Sequence, residues 1–73
     1  MTALRLPPAR LARLQRRLAG QPDGPPTAEA LQRAKSLARR TGALLPPEAV
    51  ASWHKLSIFV ATCLFTLEDH HHG

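Results

Sequence analysis

Three pairs of adjacent prolines, Pro7-Pro8, Pro25-Pro26 and Pro46-Pro47, partition the chain before any other property is considered. A proline ring holds φ near the helical value and lacks the N–H that a first helical turn leaves unpaired, so proline opens helices and disrupts their interiors. Each pair stands just ahead of a stretch with helical spacing, and three helices are predicted. Gly20 and Gly42 follow the first two stretches and are expected to end them in the left-handed conformation that glycine reaches cheaply. The implied organisation is a basic amphipathic helix over 1–20, a linker and second helix over 21–42, and a hydrophobic helix with a His-rich tail over 43–73.

A 73-residue chain is short for a self-sufficient core, and chains of this size usually need a disulfide, a metal or a partner. Cys63 is the single cysteine, which excludes an internal disulfide, and no Cys/His ladder supports a structural zinc. The missing stabiliser is therefore expected to be a partner or a lipid bilayer. Trp53, Phe59 and Phe65 are the only aromatics, too few for a base-stacking surface. No Ser/His/Asp set, glycine-rich phosphate loop or paired-carboxylate arrangement can be assembled, so the reading is non-enzymatic, with no catalytic residue, cofactor or small-molecule substrate.

Charge and greasiness are segregated. Residues 1–40 carry nine cations against Asp23 and Glu29, a net +7, whereas residues 41–73 carry Lys55 against Glu48, Glu68 and Asp69, a net −2. On a wheel of about 100° per residue, Leu11, Leu14 and Leu18 share a narrow sector, while Arg10, Arg13, Arg16 and Arg17 form a basic face on the other side. This Arg-rich, acid-free segment resembles a mitochondrial presequence; with Met1 present, the expectation is a retained arm lying on protein or on anionic lipid headgroups. The alternative is an ordinary helix with a solvated charged face.

The second helix has consistent end signals. Thr27 suits the N-cap, Glu29 suits the positive end of the helix dipole, and Arg39 and Arg40 suit the negative end. Ala30, Leu31, Ala34, Leu37 and Ala38 form an apolar stripe made largely of alanine, which fits close packing against something larger.

Residues 47–67 read as one helix about 31 Å long, near the thickness of a bilayer's hydrocarbon core. The uninterrupted apolar part is shorter, Leu56 to Leu67, and is apolar nearly all round, which points to a membrane-embedded or partner-buried helix. Trp53, His54 and Lys55 would then reach headgroup level about two turns into the helix, and Ser57, Thr62 and Thr66 could bond to the helix's own carbonyls or to neighbouring helices. The expected membrane or partner contacts are Trp53, Lys55, Leu56, Phe59, Val60, Leu64 and Phe65.

The run Trp53-His54-Lys55-Leu56-Ser57-Ile58-Phe59-Val60-Ala61, with Glu68-Asp69-His70-His71-His72 after it, resembles the single membrane helix of subunit VIa of mitochondrial cytochrome c oxidase. The likeness covers about residues 49–72. Thr62-Cys63 stands where that family usually has Pro-Gly, the apolar run is shorter, and the family's C-terminal extension has no counterpart. The resemblance implies a shortened, non-catalytic accessory subunit of an inner-membrane respiratory complex, supporting assembly, stability or regulation. Its partners would be other subunits and anionic lipid, and its N-terminus would lie on the matrix side, in keeping with the basic front.

His70, His71 and His72 beside Glu68 and Asp69 have metal-binding chemistry, but consecutive helical residues do not converge on one ion, so a solvated tail is expected and no metal site is assigned. His54 reads as an interfacial polar residue and Cys63 as a small packing residue. The fold expectation is all-α, an extended chain of three helices whose last is a short transmembrane or partner-buried helix. The alternative is a small soluble helical module that dimerises through residues 47–67 and uses its basic half to bind an acidic protein or nucleic acid. No recognition-helix motif supports the nucleic-acid version.

Overall fold

The computed structural model describes residues 5–71, with side chains through Glu68. The described residues form four helices, α1 (Pro8–Ala19), α2 (Ala28–Thr41), α3 (Pro47–Ala51) and α4 (Trp53–His71), and no strand. The all-α expectation holds; the count of three does not, because the third expected helix is cut in two at Ser52.

Local signals account for most helix ends. Pro8 and Pro47 open α1 and α3, and Pro25-Pro26 stands just before Thr27, the N-cap of α2, as the paired prolines predict. The Thr27 hydroxyl accepts the Ala30 N–H at 3.1 Å, occupying one of the four donors that a helix start leaves free. Gly42 ends α2 at φ 75°, the left-handed region. Gly20 does not do the same at the end of α1: its φ of −83° is right-handed, and the turn closes instead through Gln21 N–H to Leu18 O at 2.9 Å.

The break at Ser52 has a tertiary cause. Ser52 is extended (φ −131°, ψ 117°), and its hydroxyl donates to the Asp23 carboxylate, 2.9 Å to Oδ2. Every donor of the first turn of α4 then finds an acceptor: Trp53 N–H on Gly24 O at 2.7 Å, His54 N–H on Asp23 Oδ1 at 3.2 Å, Lys55 N–H on Ser52 Oγ at 3.3 Å, and Leu56 N–H on Ser52 O at 2.9 Å. The 21–24 linker is thus the cap of α4. Helix α4 has no acid of its own in its first turn, and Asp23 supplies the negative charge that the helix dipole favours there.

Helix α4 runs between the other elements. Antiparallel α1 sets Arg10 beside Phe65 and Glu68 and brings Gln21, just beyond its end, to the His54 ring. Helix α2 lies parallel to α4, with Ala34 packed on Leu56 and Thr41 Oγ1 at 3.7 Å from Cys63 Sγ. The return segment carries α3, which places Ala49 on the same leucine. Leu56 and Cys63 are fully buried, and Phe59 and Val60 pack against the Ala34–Ala49–Leu56 centre. The larger body that the alanine stripe of α2 fits is α4 of the same chain: Ala34, Leu37 and Ala38 are buried, and their short side chains let the two axes approach closely.

One expectation is corrected by this arrangement, and a second finds no support in it. The chain is not extended: its radius of gyration is 12.1 Å, near the ~11 Å of a compact domain of this length and far from the ~26 Å of an unfolded one. Nor is any described helix long and apolar enough to cross a membrane. The apolar stretch from Leu56 to Leu67 rises only about 18 Å against about 30 Å of hydrocarbon, and the break at Ser52 prevents α3 from lengthening it.

Candidate functional site

Three places carry side chains that are not simply core: the cap of α4, a groove between α1 and α4, and a larger groove between α2 and α4.

The cap gathers Gln21, Asp23, Ser52, Trp53 and His54. Three backbone or hydroxyl donors converge on Asp23, and its carboxyl is held below the usual value of 3.8, first by the His54 N–H and then by Ser52 and Gly24, against a desolvation effect of opposite sign. The His54 ring turns away from this carboxylate: Nε2 lies 2.9 Å from Gln21 O and donates to it in the Nε2–H tautomer. Serine, histidine and aspartate are therefore neighbours without forming a nucleophilic relay, since the serine proton faces the carboxylate and no imidazole nitrogen reaches the serine. The Trp53 indole N–H is 3.5 Å from Gln21 Oε1. Gln21, Asp23 and Ser52 were not singled out by the sequence, where 29 positions separate Asp23 from Ser52.

The α1–α4 groove, about 450 Å³, is lined by Arg10, Arg13 and Arg17 above Leu6, Leu14 and Ala61. The expected four-arginine face thus divides. Arg10 stacks its guanidinium 5.0 Å from the Phe65 ring and approaches Glu68 at 3.8 Å; both ends of that pair are more than half exposed, and the contact contributes little. Arg13 and Arg17 border the groove with exposed side chains, and Arg16, also exposed, does not line it. Among the described residues no other ion pair forms, so the cations of α1 beyond Arg10 face solvent.

No family model, curated protein or solved structure matches this chain.

The α2–α4 groove, about 710 Å³, has Trp53, Ser57, Val60 and Leu64 along one wall and Ala30 and Arg33 on the other, with Leu56 at its base. Ala61 borders both grooves, which therefore adjoin on one side of the molecule. The seven expected contact residues are dispersed. Leu56 and Phe59 serve the core, Val60 packs on the core and also lines the groove, Phe65 carries Arg10, Lys55 is exposed, and Trp53 and Leu64 stay on the groove, with Leu64 40% exposed. Thr62 and Thr66 bond back to Ile58 O and Thr62 O at 2.7 and 2.9 Å, satisfying their hydroxyls within α4, the first of the two options open to them in the sequence. Cys63 is a packing residue whose burial raises its thiol pKa, partly offset by Thr41. No metal-binding cluster occurs among the described residues, and the side chains of His70, His71 and His72 lie outside them.

Proposed function

We propose that this chain is a non-catalytic attachment module that holds an acidic protein partner through the basic surface of α1. The observation that carries this reading is the position of Arg13 and Arg17, exposed beside the apolar Leu14 and Ala61 with no carboxylate paired to them among the described residues. Guanidinium groups in that setting present forked donors that carboxylates match bidentately, and the adjoining apolar surface adds burial that a purely solvated charge face lacks. Duplex nucleic acid uses the charge but not the apolar surface, and Trp53 is the sole aromatic on either groove.

The wider setting expected from the resemblance is an accessory subunit of a mitochondrial inner-membrane respiratory complex, probed through its partners. An attachment module suits such a role at the surface of the assembly, whereas a membrane-crossing version needs a longer apolar run than α4 holds.

The test is binding of fluorescent poly-glutamate, followed by anisotropy over a salt series, for the wild-type chain and for a double variant with Arg13→Glu and Arg17→Glu. Both side chains are exposed, so the variant is expected to melt like the wild type. Its affinity is expected to fall at least about tenfold at low salt, with a flatter salt dependence. Equal affinity of the two proteins would refute the proposal.

A further inference from the structure

The open wall of the α2–α4 groove has a particular spacing. Trp53, Ser57, Val60 and Leu64 follow one another by four, three and four residues, the a/d pattern that keeps one face of a helix toward a helical neighbour. The other two sides of α4 are accounted for: Leu56 and Cys63 turn to α2 and α3, and Phe65 turns to α1. The remaining seam is apolar apart from Ser57, widened by the small residues Ser57 and Ala61, and bordered by cations on both sides, Arg33 on α2 and the Arg13–Arg17 row beyond Ala61. From Trp53 to Leu64 it extends about 16 Å, three turns of helix.

We infer that this groove seats one amphipathic helix of an acidic partner protein, its apolar row against Val60, Ala61 and Leu64 and its flanking carboxylates toward Arg33 on one side and Arg13 and Arg17 on the other. This rests on the attachment reading above and specifies the partner's secondary structure and register. Charge complementarity selects the occupant. A second copy of this chain, at net +5, would bring its own arginines against these, and Glu29 is the one acid on the groove to oppose them. A phosphate backbone would meet the cations but leave the seam uncovered. A helix with a 4-3 leucine row flanked by glutamates matches both features, in the manner of helix-in-groove recognition.

The experiment uses the full chain and two synthetic 18-residue peptides of identical composition. One has leucines at 4-3 spacing with glutamates on both flanks, and the other is a shuffled sequence without the apolar row. Trp53, the only tryptophan, lines the groove and reports occupancy through its emission. The patterned peptide is expected to shift that emission to shorter wavelength and to bind at least about tenfold more tightly than the shuffled one. Leu64→Asp and, separately, Ser57→Lys are expected to abolish that preference while each keeps the wild-type helical circular dichroism. The double variant with Arg13→Glu and Arg17→Glu is expected to weaken both peptides. Equal affinity for the two peptides, sensitive to the arginine reversal, would overturn the groove inference and leave the attachment reading standing. Binding of neither peptide would overturn both. A 16-base-pair duplex, or vesicles of phosphatidylcholine and phosphatidylserine, binding more tightly than the patterned peptide and with the same Trp53 shift, would overturn the choice of a protein helix.

Discussion

Replacing Leu56 with alanine tests whether α4 is covered by its own chain. Leu56 is fully buried where Ala34 of α2 and Ala49 of α3 meet α4. The substitution removes three carbons, about 2.4 kcal/mol at ~0.8 kcal/mol for each buried methylene-sized group. Ala34 and Ala49 are fixed to helix backbones and cannot swing into the space, and the larger Leu31, Leu45, Phe59 and Val60 around them can close it only in part, so a cavity contribution adds to the loss and about 3 to 4 kcal/mol is expected. Chains of this length unfold with an entropy near 0.15 kcal/mol/K, which makes that loss a drop in Tm of roughly 20 °C. Leu64→Ala is the internal control: at 40% exposure on the open groove it should cost less than about 1.5 kcal/mol. The assay is thermal unfolding followed by circular dichroism at 222 nm in detergent-free buffer. A drop below about 5 °C for Leu56→Ala, or equal effects of the two substitutions, would refute the packing argument. So would the lack of a cooperative transition in the wild type, which is the result expected if α4 depended on lipid or on foreign polypeptide for its cover.

Three further predictions concern the helix ends. Asp23 has a folded pKa lowered below its unfolded value of 3.8, so its contribution to stability is complete above that value and fades as pH falls toward the lower folded pKa; an acid titration of Tm should show this limb in the wild type and a reduced one in Asp23→Asn. Ser52→Ala removes the hydroxyl that caps Lys55 N–H and anchors Asp23, and a loss of about 1 kcal/mol in urea unfolding is expected. Gly42→Ala places a side chain at φ 75° in open space, so the cost is backbone strain without collision, about 1 kcal/mol; a stability gain in the same measurement would contradict the left-handed cap.

The proposed binding surface was only partly legible in the sequence. The amphipathic pattern of α1 identified its arginines, but their separation into Arg10 on Phe65, Arg13 and Arg17 along a groove, and Arg16 away from it depends on how α1 lies across α4. The 4-3 wall of Trp53, Ser57, Val60 and Leu64 was present among several apolar rows of a helix that is apolar nearly all round. Which row stays open is decided by where α1, α2 and α3 pack.

What the sequence alone determined is local. Paired prolines set helix starts, Thr27 and Gly42 set the ends of α2, and threonine hydroxyls found acceptors one turn back, because each of these interactions closes within a few residues. The tertiary structure decided the break at Ser52, whose cause is an aspartate 29 positions earlier, and the cover of α4, which is assembled from three separate segments. A helix's apolar period says that a face will be buried but not what covers it, and a cap supplied from a distant segment leaves no local signal, so both outcomes are fixed only when the helices meet.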